Sequence, residues 1–70
     1  MKLATTTELA PFQSETLLIY LSLSARLGSN RKAAAAIGVS HHTFQTRLNK
    51  PFTIREESYF AAQWVEAKLG

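Results

Sequence analysis

Apolar residues recur along this chain with helical rather than alternating spacing, and no stretch of convincing length has the period of a strand. The densest run lies between Ser14 and Leu27, where Leu17, Leu18, Ile19, Tyr20, Leu21, Leu23, Ala25 and Leu27 leave few polar gaps. On a helical projection Leu17, Leu18, Leu21 and Ala25 form one stripe, and Ile19, Tyr20, Leu23 and Leu27 form another. Ser22 and Arg26 occupy a narrow polar gap. A helix apolar on more than one side needs cover on more than one side. Two arrangements supply it. One stripe packs on the middle of the chain and the other on the C-terminal helix, or one stripe meets a second copy. The second arrangement predicts a homodimer with Ile19, Tyr20, Leu23 and Leu27 at the interface, joined by Tyr59 and Trp64.

The middle of the chain predicts two short helices around a corner. Ala33 to Ala36 have the strongest intrinsic helix preference available, and their small side chains let another helix lie close across them. Gly38 stops that helix, because the residue just past a helix end takes positive φ at no steric cost when it is glycine. Val39 is placed to plug the corner into the core. Ser40 stands where its hydroxyl can cap a new helix starting at His41. Phe44 and Leu48, four apart, share the face that turns towards the corner, which leaves His41, His42, Gln45, Thr46 and Asn49 outward. Helix, three-residue turn and helix make a helix-turn-helix candidate over about residues 30–50.

The ends frame this motif. Thr5 and Glu8 have capping-box spacing and predict a short helical turn from about Thr6 to Phe12, which Pro11 limits, so the main first helix starts near Phe12 or Ser14. Gly28 ends it, and Ser29 or Asn30 caps the next. After the motif Pro51 blocks further helix and Phe52 is expected to anchor the turn. Thr53 with Glu56 repeats the capping-box spacing and opens a helix from about Ile54 to Leu69. There Ile54, Ala61, Val65 and Leu69 are expected inside, widened by Phe60 and Trp64, with Arg55, Gln63 and Glu66 outside. Trp64 has an alternative place, at the centre of a dimer interface. The expected fold class is all-α, a compact domain of four to five helices, residues 1–70 forming one unit.

Composition narrows the chemistry. Seventy residues lie close to the lower limit for a self-supporting core. Without cysteine there is neither a disulfide framework nor a thiolate metal site, and two histidines alone make a poor zinc cage. No acid, base or nucleophile stands in a recognisable catalytic setting, so neither an enzyme nor a cofactor or small-molecule ligand is expected. No apolar run approaches the roughly 20 residues of a membrane span, and the start lacks a signal-peptide core, so a soluble cytoplasmic protein is expected.

Eight Lys and Arg stand against five glutamates, a formal charge of +3. The placement matters more than the excess. Residues 16–55 contain no acid at all, while Arg26, Arg31, Lys32, Arg47 and Lys50 lie within them. A basic stretch free of acids is the footprint of a nucleic-acid surface; the alternative is a solvated face that keeps a small protein soluble. The outward residues of the second motif helix are polar and uncharged and can donate and accept hydrogen bonds, which suits base edges in a major groove. Ser40, His41, His42, Gln45, Thr46 and Asn49 are therefore the candidate base readers. Gln45 and Asn49 lead them, because a side-chain amide pairs with adenine through two bonds. Asn30, Arg31, Lys32, Thr43, Arg47 and Lys50 are the candidate phosphate contacts, with Arg31 and Lys32 at a helix start. Arg47 has an equal rival role, a salt bridge to a glutamate of the last helix.

Gly28, Ala33-Ala34, Ile37-Gly38-Val39, Thr43-Phe44 and Arg47-Leu48 follow the order of the DNA-binding segment of the Fis family, the factor-for-inversion-stimulation type. The chain resembles that family over about Leu23 to Lys50. The resemblance implies that Ala34 is the small residue where the two helices touch and Gly38 the corner, and that Ser40, His41, Thr43, Gln45 and Thr46 face bases or phosphates. Two features depart from the family: a further helix follows the motif, and the recognition helix is less basic. The first gives a layout similar to small phage repressor and Cro-type regulators. The second weighs against a sequence-blind architectural role, which leans on phosphate charge. The expected function is a sequence-specific transcriptional regulator, a homodimeric repressor bound to duplex DNA at an inverted repeat with half-sites ~34 Å apart. A protein-interaction module of antitoxin-like or inhibitory type, or an architectural or recombination accessory factor, is the alternative.

Overall fold

The computed structural model describes residues 9–69; of the separate turn expected from about Thr6 to Phe12, residues 6–8 lie outside them, Leu9 and Ala10 are not helical, and Pro11 and Phe12 already belong to the first long helix. These residues form an all-α domain: α1 (Pro11–Leu27), α2 (Asn30–Ile37), α3 (His41–Asn49), a 3-10 turn (Pro51–Thr53) and α4 (Glu56–Leu69).

Local chemistry sets most boundaries. Pro11 is the first residue of α1, where its missing N–H costs nothing, so the helix begins slightly earlier than Phe12. The Gln13 side chain reaches back to accept from the Ala10 N–H at 3.0 Å. Gly28, at φ 95°, closes α1. Ser29, not Asn30, caps α2, its Oγ accepting from the Lys32 N–H at 3.1 Å. At the corner, the Gly38 N–H donates to the Ala35 carbonyl and the Val39 N–H to the Ala34 carbonyl, the paired bonds of a Schellman ending, with Gly38 at φ 87°. Ser40 caps α3 by accepting from the Thr43 N–H at 3.1 Å. α4 departs from expectation. The Thr53 hydroxyl bonds back to the Lys50 carbonyl at 2.7 Å inside the 3-10 turn and not forward to Glu56, and the helix starts at Glu56, with Glu56 and Glu57 in its first turn where the dipole favours acids.

The core is built from Ile19, Tyr20, Leu23, Ala33, Ala34, Phe44 and Ala62, with Ile37, Val39, Leu48 and Val65 partly buried against it. α1 packs on α4 along one flank and on α2 along another, and α2 packs on α3. Ala33 and Ala34 let the helices close in, whereas Ala35 and Ala36 are exposed. The Tyr20 and Phe44 rings stack with centroids 4.6 Å apart, joining α1 to α3.

The faces of α1 and α4 differ from the expected ones. α1 buries Thr16, Ile19, Tyr20 and Leu23 and exposes Leu18 and Leu21. Ile19, Tyr20 and Leu23 thus belong to the domain's own core: residues 7 %, 0 % and 0 % exposed have no surface to offer a second copy. Leu27 is half-buried beside them. Thr16 is buried because its hydroxyl is spent within its own helix, donating to the Phe12 carbonyl at 2.6 Å. α4 buries Ser58 and Ala62, small residues that admit close approach, and turns Phe60 and Trp64 outward. Leu69 is exposed too. Phe52 does not anchor its turn, being 60 % exposed; Ile54 does so, at 2 %. Gln13 secures the same turn by donating from Nε2 to the carbonyls of Phe52 at 3.0 Å and Ile54 at 3.1 Å.

Candidate nucleic-acid interface

α3 is held from beneath. Phe44 is wholly buried against Tyr20, and Leu48 and Val39 rest on the core, so the face carrying these residues is fixed. The other side is presented outward. His42 and Asn49 are exposed, and Gln45 and Thr46, on the same side by helical spacing, are half-buried. His42, Gln45, Thr46 and Asn49 thus make a continuous polar surface with no charged side chain of its own.

Their hydrogen bonds are local and leave capacity for a partner. The amide Nε2 of Gln45 lies 3.3 Å from Nε2 of His41, one turn earlier, which limits the conformers of Gln45. His41 is half-buried, less outward than its spacing predicts. The Thr46 hydroxyl donates to the His42 carbonyl at 3.0 Å and keeps its acceptor side free. Asn49 has no side-chain bond within the described residues and is exposed. Ser40 and Thr43 are engaged with one another: besides the cap, the Ser40 Oγ donates to the Thr43 Oγ1 at 2.8 Å. Their hydroxyls first serve the start of α3.

Of the basic residues, Arg31 and Lys32 at the start of α2 and Lys50 at the end of α3 are exposed. Asn30 is half-buried and turned inward, its Oδ1 accepting from the Ser24 hydroxyl, so it ties α2 to α1. Arg47 is also half-buried. Its Nη1 donates to the Tyr20 hydroxyl at 2.9 Å, and this bond takes the place of the salt bridge to a glutamate of α4. The Tyr20 hydroxyl is a positioning group the sequence did not single out; its signal was a tyrosine within an otherwise aliphatic stripe, whose buried O–H needs a partner.

The glutamates of the described residues lie on other elements. Glu15 is on α1, and Glu56, Glu57 and Glu66 are on α4, so α2 and α3 carry only basic charge. Glu15 accepts from the Tyr59 hydroxyl at 2.7 Å, and Gln63 donates to the same phenol at 2.9 Å. The hydrogen bond to Glu15, helped by partial burial and by that carboxylate's charge, raises the Tyr59 phenol above its ordinary pKa. Tyr59 is thereby bound within its own chain, and its ring also meets Phe12 at 6.1 Å. Of the expected dimer residues only Trp64 is broadly exposed, at 63 %.

Among the described residues, no group of three or more His, Cys, Asp or Glu could hold a metal ion, and no helix is long and apolar enough to cross a membrane. No protein-family model, curated protein or solved structure matches the chain.

Proposed function

We propose that the chain is a sequence-specific DNA-binding transcriptional regulator of helix-turn-helix type, a homodimeric repressor that occupies an inverted-repeat operator, with its own promoter the first site to test. The observation that carries this reading is the outward side of α3. His42, Gln45, Thr46 and Asn49 form an uncharged row able to donate and accept, on a helix whose opposite side is fixed by Phe44. Such a row suits base edges, which are read by hydrogen bonds rather than by charge.

In the proposed complex α3 enters the major groove. Gln45 and Asn49 read adenine through its N6 and N7, and His42, Thr46 and His41 fill the adjacent positions. Arg31, Lys32 and Lys50, all exposed, take phosphates on either side and fix register without reading sequence. Ser40 and Thr43 act through the cap that orients the helix start, and Arg47 reaches the backbone from its anchor on Tyr20. The absence of acids from α2 and α3 supports the same face, because a glutamate there would repel the duplex. The Fis-type order of residues 28–48, carried mainly by its glycine, alanine and aliphatic positions, supports it as well.

A mobility-shift assay with the upstream region of the chain's own gene, run with and without excess unrelated duplex, tests the reading. The protein is expected to keep its shifted complex in the presence of competitor. Gln45→Ala and Asn49→Ala are each expected to cost about 1–3 kcal/mol of discrimination, with unchanged far-UV circular dichroism. Binding that competitor abolishes, or variants that bind as the parent does, overturn the reading.

A further inference from the structure

We propose that the outward ridge of α4 is a docking surface for a second copy of this chain, the two helices lying antiparallel about a two-fold axis. The proposal deepens the dimeric part of the function proposed above and rests on that part alone; DNA contact does not enter it.

Glu56, Phe60, Trp64 and Lys68 are spaced four apart and so form a single ridge along α4, and all four are exposed. Phe60 and Trp64 leave 62 % and 63 % of their surface in solvent, although small Ser58 and Ala62 are buried on the other side of the same helix. Two large aromatics at adjacent turns are more apolar area than a solvated helix face needs.

The order of residues identifies the occupant. The ridge runs acid, aromatic, aromatic, base over about 18 Å of helix. The level of residue 62 lies midway between Phe60 and Trp64, and equally midway between Glu56 and Lys68. A two-fold axis at that level therefore sets Phe60 of one copy against Trp64 of the other and each Glu56 against the other copy's Lys68. An isologous interface requires this kind of self-complementarity. Lys68 already lies over the Trp64 ring, its Nζ 4.3 Å from the centroid, and so is at the edge of the aromatic pair. The other exposed apolar strip, Leu18 and Leu21 on α1, lacks this symmetric order: Leu18 shares a shallow pocket with two acids, Glu15 and Glu66, and Ser14 and Ala25 stand at the ends of the strip.

Sedimentation equilibrium of the full chain without DNA, at low salt and up to ~500 µM, tests this. The parent is expected to self-associate weakly and reversibly within this concentration range, as befits an interface of one helix ridge. Trp64→Ala is expected to weaken the dimer at least about tenfold. Glu56→Lys and Lys68→Glu, each of which brings like charges together across the axis, are expected to weaken it about three- to tenfold, and the double swap to restore it. Restoration distinguishes pairing from helix fraying, since the double swap opposes the helix dipole at both ends. Circular dichroism checks that each variant is folded. A monomer at every concentration overturns the proposal. So do single swaps without effect, a double swap no better than the worse single one, or a dimer that survives Trp64→Ala and is lost in Leu18→Ser with Leu21→Ser. Binding of one half-site by a folded but monomeric variant tests the DNA reading separately.

Discussion

Gly38 shows how one residue decides the relation of two helices. Its φ of 87° lies where a side chain is strained, yet an added Cβ would meet no atom within 4 Å. The requirement is conformational and not one of space. Gly38→Ala is therefore expected to keep the fold and lose about 1–2 kcal/mol, lowering Tm by about 4–8 °C per kcal/mol in a domain of this size, as measured by thermal melting. Tyr20 is the other decisive residue. Its ring stacks on Phe44 while its hydroxyl receives the Arg47 guanidinium, so one side chain joins α1 to both the buried and the basic part of α3.

Among elements, α2 and α3 were legible in the sequence because their boundaries are local chemistry. Gly38 ends one, Ser40 starts the next, and Phe44 and Leu48 show which side is inside. α1 and α4 were less legible. Both are apolar over most of their circumference, so periodicity alone does not say which stripe goes inward. Side-chain size settles it: α4 approaches its neighbours through Ser58 and Ala62, which leaves no room for Phe60 or Trp64, and α1 buries Thr16, whose hydroxyl is satisfied within the helix, while Leu18 stays outside. Four residues expected between copies, Ile19, Tyr20, Leu23 and Tyr59, are consequently engaged within one chain. The Tyr59 bond to Glu15 couples α1 to α4 in a pH-dependent way. Its phenol is raised above 10.0, so the folded state holds that proton more tightly than the unfolded chain does. The associated stability is fully present below the unfolded pKa and is lost as pH rises through the folded one. Urea midpoints measured between pH ~9 and ~11 are expected to fall more for the parent than for Tyr59→Phe.

For the whole molecule, acids are confined to two elements: all glutamates of the described residues lie on α1 and α4, which also carry Arg26 and Lys68, whereas α2 and α3 bear basic side chains alone. The proposed DNA surface and the proposed dimer ridge thus lie on different helices, and each can be altered without touching the other. Lys50→Ala is expected to weaken binding about equally on all duplexes and to reduce the slope of log affinity against log salt by about one. Titrations at several salt concentrations measure that slope, and an unchanged slope places Lys50 off the phosphate backbone. Net charge hinted at such a surface, but only the fold separates Arg31, Lys32 and Lys50, free in solvent, from Arg47, which is tied to Tyr20.

The Gln13 side chain bonds the Ala10 N–H and the carbonyls of Phe52 and Ile54, so a single amide latches the start of α1 to the connection that leads into α4. Any detachment of α4 together with that connection breaks these bonds. With the latch closed, exchange of the last helix between molecules is opposed, whereas the proposed contact through the outward ridge of α4 would leave all three bonds in place.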